Sequence, residues 1–169
     1  MPTMKDQNAP FHALRVMLDA RLPHAATIVV SSACDGDGQQ ELANGLVEAF
    51  AQAGRRSVLV SLYDGSATPA ELGKLLADAR AEHEVVVVAS PPLPTHSAAL
   101  DACRLADGVL LTVRLGRKIM PADHDTVAYL ERAAATVLGV VAMRSMTLKG
   151  GAQPDIVVGA SPALEAAAN

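Results

Sequence analysis

The chain has 169 residues, enough for one domain with a core of its own. Half of them are apolar and 19 % are charged, which excludes an intrinsically disordered chain, while 2 % aromatics and no Trp exclude a stacking surface for single-stranded nucleic acid. A formal charge of −4 leaves no basic footprint for a nucleic-acid backbone, and Cys34 and Cys103 are too few for a disulfide framework or a cysteine metal knuckle.

The opening MPTMKDQNAP lacks the charged start and apolar run of a secretory leader. No stretch reaches the ~18 consecutive apolar residues of a membrane span, so the expectation is a cytoplasmic domain. Phe11 to Arg21 reads as a helix with Leu14, Met17 and Leu18 on one side. Residues 26–31 (ATIVVS) read as a first strand. Gln39 to Ala53 follows, with Leu42, Leu46, Val47 and Phe50 at helical spacing and Gly54 as its stop. Residues 57–62 (SVLVSL) are a second strand. Thr68-Pro69-Ala70-Glu71 opens a helix to about Ala81: a capping Thr, Pro at the first position and an acid in the first turn. Residues 85–89 (VVVVA) are apolar without alternation, as in a strand buried on both faces of a parallel sheet, and Pro91, Pro92 and Pro94 end that strand. A helix over 97–106, a strand over 108–113, a helix from Pro121 to about Ala134 and a strand over 137–141 complete the pattern. Beyond it come a turn at Lys149-Gly150-Gly151, a short edge strand at Ile156-Val157-Val158 and a fraying end at 166–169. Strands alternating with helices predict an α/β fold: a doubly wound, mainly parallel sheet of about five strands with helices on both faces. The chain divides into a lead-in with a helix (1–24), the α/β domain (25–144) and a tail (145–169).

In such a sheet ligands sit at the carboxyl ends of the strands, beside the first strand-to-helix turn. Here that turn is Ser31-Ser32-Ala33-Cys34-Asp35-Gly36-Asp37-Gly38-Gln39-Gln40. Its glycines and the following helix N-terminus could present N–H groups to an anion, but Asp35 and Asp37 would repel phosphate. A working phosphate loop ends Gly-Lys-Ser/Thr, because the Lys balances the β/γ-phosphates and the hydroxyl ligates Mg²⁺. This one ends Gly38-Gln39-Gln40, with neither group.

The run SSACDGDGQQELANGLVEAFAQAGRRSVLV resembles the start of bacterial tyrosine-kinase (BY-kinase) domains, deviant P-loop ATPases related to the Min/Par partition ATPases. There the stretch has the form S-A-x-P-G-E-G-K-S/T, then A-A-N-L, then A-G-(K/R)-(K/R)-V-L-L. Ser32, Ala33, Gly36, Gly38, Ala43, Asn44, Ala53, Gly54, Arg55 and Arg56 stand where that pattern expects them. Downstream, TPAELGKLLADARAEHEVVVVASPPL, LADGVLLTVRLGR and VLGVVAMR are similar to further segments of the family in the same order. FHALRVML resembles its preceding helix, so the likeness covers roughly 11 to 144. The resemblance implies a shortened P-loop NTPase-like fold.

It also shows what is missing. The family's catalytic Lys is Gln39 here and its Mg²⁺-binding Ser/Thr is Gln40. The second-strand acids fall on Ser61 and Tyr63, and the third-strand acid on Ala89. Phosphoryl transfer rests on positioning and on electrostatic stabilisation by Mg²⁺ and cations, so the expectation is a catalytically inactive, non-enzymatic domain with no cofactor and no metal. The glycine loop leaves weak binding of ATP or another anion open. The family's C-terminal tyrosine cluster is absent from 131–169, and of its oligomerisation motif only Arg15 survives, the other positions being Ala9 and His12. The family places an additional strand and helix between Tyr63 and Thr68. The implied role is a binding or regulatory subunit in bacterial exopolysaccharide synthesis or export, docking on a BY-kinase, a polysaccharide co-polymerase or a glycan synthase. It would reach the inner membrane only through that partner, and a homo-oligomer is also open. Two alternatives remain: a divergent ATPase or tyrosine kinase using Asp64, Asp35 or Asp37 as metal ligands, and a Min/Par-type positioning protein.

Simpler readings accompany the site residues. Gly36 and Gly38 serve as a tight turn. Asp35 and Asp37 are expected as solvated charges complementing the helix N-terminus. Cys34 and Cys103 are expected as inert small hydrophobes. Arg114, Arg117 and Lys118 read as a solvated basic cluster; Arg114 and Arg117, with Arg15, are the candidate interaction residues. Asp123-His124-Asp125, with His96 elsewhere, reads as helix-dipole complement rather than a metal site.

Overall fold

The computed structural model describes residues 8–63, 67–144 and 157–159. The expected turn at 149–151, Ile156, Asp64 and the end at 166–169 lie outside the described residues. Five parallel strands, β1 (Ala26–Ser32), β2 (Ser57–Ser61), β3 (Val85–Ala89), β4 (Gly108–Arg114) and β5 (Val137–Met143), stand in the order β2-β3-β1-β4-β5. β6 (Val157–Gly159) pairs antiparallel with β5 on its outer side. The sheet is therefore the doubly wound, mainly parallel one that the alternating pattern predicts. No helix among the described residues is long and apolar enough to cross a membrane.

Alternation along the central strands divides their side chains between two cores. Ile28, Val30, Val85, Val87, Ala89 and Leu110 face α1 (Ala9–Asp19) and α2 (Gln39–Gln52). Val29, Val86, Val88, Val109 and Leu111 face α3 (Pro69–Glu82), α4 (Ser97–Leu105) and α5 (Pro121–Arg132). All of β3 is buried, and its unbroken Val run follows from having a helical layer on each face. α3 starts as its sequence dictates: Thr68 accepts the Glu71 N–H and Glu71 accepts the Thr68 N–H. That backbone hydrogen bond holds the Glu71 carboxyl below its ordinary range.

α1 spans 9–19 rather than 11–21, because Pro10 starts it earlier and the Arg21 and Leu22 N–H groups turn back onto the Leu18 carbonyl. It packs Phe11, Leu14 and Leu18 into the α2-side core. The close approach of the two helices depends on Gly45, where an added β-carbon would lie 2.5 Å from the Phe11 ring. Because that ring is itself buried, Gly45→Ala should cost about 1–2 kcal/mol by overpacking, exceeding the gain in helix propensity. Chemical denaturation reads the loss, and Phe11→Leu in the same chain should recover part of it.

Candidate functional site

The register of the ladder brings the carboxyl ends of the central strands to one edge. Ala89 stands opposite both Val30 and Ser61, and Ser31 opposite Leu111. β1 has β3 on one side and β4 on the other, so the loop 33–38 leaves the sheet where the direction of winding changes, the usual ligand position in this architecture. Gly38 caps α2 in the left-handed region at φ 92°. A β-carbon there would be 2.9 Å from Met143 Cγ, since the end of β5 leans on the loop.

Gln39 is buried at this edge, while Tyr63 beside it is 40 % exposed and feels the charge of Asp35. Gln39 is 4 % exposed, and its side chain engages the hydroxyl of Tyr63. That hydroxyl donates to the Ser90 carbonyl at 3.1 Å. Burial pushes the Tyr63 phenol above its ordinary value, against the pull of the Gln39 bond, and keeps it a donor at neutral pH. Behind it, Ser31 and Ser90 each donate to the Pro91 carbonyl at 2.9 Å. Ala89 is fully buried in the α2-side core. Gln40 and Asn44 are exposed on α2, and Ser61 is exposed at the end of β2.

The loop itself is pinned from the other side. Arg114 donates from Nε to the Gly36 carbonyl at 2.5 Å. Arg117 forks onto Asp37, Nε to Oδ1 at 2.8 Å and Nη2 to Oδ2 at 2.7 Å. Its other edge binds Asp123, Nη1 to Oδ2 at 2.7 Å and Nη2 to Oδ1 at 2.5 Å. Asp37 Oδ1 also accepts the Arg114 N–H at 3.3 Å, and Asp123 Oδ2 accepts the Met120 N–H at 2.7 Å. Two carboxylates share one guanidinium whose donors are all used, the geometry that gives such pairs their strength.

This corrects two sequence expectations. Asp37 is not a solvated loop charge: it is 1 % exposed, because a neutralising partner replaces water. Arg114 and Arg117 are not a solvated basic cluster either, since both bind inward on the loop; Lys118 alone of the three stays out in solvent. Asp123 complements the start of α5 as expected and in addition closes the clamp. Arg15 pairs at 2.6 Å with Asp19, which also takes Arg55.

Cys34, Asp37 and Asp123 present ligand atoms within 4.8 Å of one another, but Arg117 already holds both carboxylates. Burial raises the Cys34 thiol above its usual value, with Arg117 opposing, so the thiol is protonated at neutral pH. Cys103 is fully buried and pushed up to about 12. Asp35 stays exposed on the loop. Of the substitute metal ligands, Asp37 is committed to Arg117 and Asp64 lies outside the described residues. Sequence reasoning placed Gln39, Tyr63 and Ala89 at one edge but gave no sign of the Asp37–Arg117 bond, whose partners are 80 residues apart.

No protein-family model matches this chain, and no curated protein does. Solved structures do match. The kinase domain of Escherichia coli tyrosine kinase ETK superposes with a TM-score of 0.68 at 14 % identity, over 86 % of this chain and 79 % of that one. The VpsO kinase domain gives 0.64 at 16 % identity, over 85 % of this chain and 100 % of that one. MinD cell division protein of Aquifex aeolicus gives 0.60 at 15 % identity, over 70 % and 69 %. At these identities the likeness shows a shared α/β fold.

Removing the guanidinium strands a buried carboxylate. Arg117→Met should therefore destabilise the domain by about 3–5 kcal/mol, and Asp37→Asn in the same chain should restore much of it. Arg117, then the Met120 N–H, hold the Asp123 carboxyl below its ordinary range, against burial. A folded-state value below the unfolded one gives stability that is complete above the unfolded value of about 3.9 and is lost as pH falls through the folded one. Denaturant titrations below that pH should show the loss in the wild type and a flatter profile in Arg117→Met.

Proposed function

We propose that this chain is a BY-kinase-like domain that no longer transfers phosphate and acts instead by binding a protein partner in bacterial exopolysaccharide synthesis or export. The observation that carries the reading is Gln39: at the position of the catalytic Lys it is a neutral, buried side chain beside Tyr63. Triphosphate chemistry at such an edge needs a cation on the β/γ-oxygens and hard oxygen ligands for Mg²⁺. Gln40 and Ala89 offer neither a hydroxyl nor a carboxylate, and Tyr63 gives its hydroxyl to Ser90. Removing one electrostatic group of this kind commonly costs about 10²–10³ in rate; here the set is replaced together. The clamp adds to this, because it places the Asp37 carboxylate inside the loop that would have to wrap an anion.

What the domain keeps is a scaffold with the shape of a kinase domain. The partners in keeping with that shape are an intact BY-kinase, the cytoplasmic end of a polysaccharide co-polymerase or a glycan synthase, with membrane contact made through them. Two measurements test the two halves. Mg-ATP should leave the melting temperature unchanged and phosphate release should stay at background, for the wild type and for Gln39→Lys, which restores one group of the set. A clear nucleotide-dependent shift with turnover overturns the loss of catalysis. Calorimetric titration against a purified BY-kinase domain and a co-polymerase cytoplasmic fragment should give saturable binding to one of them; binding to neither overturns the partner assignment.

A further inference from the structure

The two faces of β5 are covered unequally. Leu138, Val141 and Met143 are buried in the α2-side core, whereas Val140 and Ala142, which alternate with Val141 and Met143, are half-buried. On that second face an open cavity of about 300 Å³ is floored by Leu111, Val113 and Val140. Ile119 and Val127 form its wall and are 77 and 44 % exposed. Its far end, at Ala33, Asp123 and His124, brings no unpaired buried carboxylate, because Arg117 already holds Asp123. Large apolar side chains seldom stand together on a protein surface unless something covers them.

The chain itself returns to this place. β6 runs along the outer side of β5, and its last residue, Gly159, stands opposite Val140, which is itself level with Leu111. The chain therefore leaves the sheet about 5 Å from the cavity floor. Residues 160–169 follow as ASPALEAAAN. Ser161-Pro162 is a helix-opening pair. On such a helix Ala163, Leu164 and Ala167 share one side, and Ser161, Glu165 and Asn169 the other. We infer that the segment after Gly159 folds back over the α5 side of β5 and seats Leu164 in the cavity, against Ile119, Val127 and Val140. The opposite face of β5 is already covered, so this is the face left to it. Leu164 is five residues past Gly159, up to about 17 Å of chain at ~3.4 Å per residue, which spans the distance with room for a turn. Small residues on either side of Leu164 let the backbone come close to the sheet. A second copy or another protein would have to compete with a segment tethered beside the cavity, at an effective concentration on the order of millimolar. The Gln39–Tyr63 group takes no part, so the inference holds whether or not a nucleotide binds.

NMR of the methyl-labelled full chain tests it. The Leu164 methyls should give cross-peaks to methyls of Ile119, Val127 or Val140, and those cross-peaks should survive dilution to a concentration at which sedimentation shows a monomer. Leu164→Asp lies outside the sheet and the clamp, so it should keep the overall circular dichroism signature of the α/β fold. It should nevertheless abolish the cross-peaks, lower the melting temperature by about 3–8 °C and raise the fluorescence of added anilinonaphthalene sulfonate as the cavity opens. Leu164→Met should behave as the wild type. Random-coil shifts at Leu164 without the cross-peaks overturn the proposal. Cross-peaks lost on dilution also overturn it and assign the cavity to a second copy. A wild type that takes up the dye as well as Leu164→Asp overturns it by showing the cavity open.

Discussion

The Arg117 guanidinium joins three pieces of chain that the β-ladder leaves independent. Asp37 belongs to the loop after β1, Arg117 to the connection after β4, and Asp123 to the first turn of α5. None of these segments is a strand, so no register fixes their relative positions. A buried carboxylate in a glycine-rich loop would be costly alone, and its presence obliges the loop to stay against the arginine. Arg114 on the Gly36 carbonyl and Met143 against Gly38 act in the same sense. The result is a loop held from the β4–β5 side, where a phosphate loop would be shaped by the anion it wraps.

The side chains at this edge form a consistent chemical set. Gln39, Ser61, Tyr63 and Ala89 carry no charge at neutral pH, and the buried polar groups beside them are satisfied internally. The phenol goes to the Ser90 carbonyl, and the serine hydroxyls to the Pro91 carbonyl. Among the described residues, none of the groups named at this edge is a buried polar atom without a partner. Charge stands one loop away, in the clamp, where Arg117 ties the loop to the start of α5.

The fold was legible because its signals are local. The Val run of β3, the Thr68–Glu71 box and the proline at the start of α5 each act within one element, and the expected bounds hold to within a residue or two there. β5 runs two residues further than expected because Ala142 pairs with Val113 of β4 and Val157 of the antiparallel β6, and Met143 pairs with Arg114 of β4. The positions at the site edge were legible for the same reason, since strand ends fix them. Asp37 was not. An acid in a glycine loop looks solvated until a cation 80 residues away is known to fold onto it, and no periodicity or cap encodes that meeting.

The connection between β4 and α5 therefore has two faces with different work. Inward, Arg117 is spent on two carboxylates; outward, two residues later, Ile119 stands in solvent. The clamp fixes the backbone on both sides of Ile119, through Arg117 itself and through the Met120 N–H held by Asp123. An exposed aliphatic group on a mobile loop would lose much of its binding energy to ordering; one held between two such anchors is already placed. The interaction that holds the loop after β1 is thus also the one that sets the backbone on both sides of Ile119. Weakening it should loosen the loop and that backbone together.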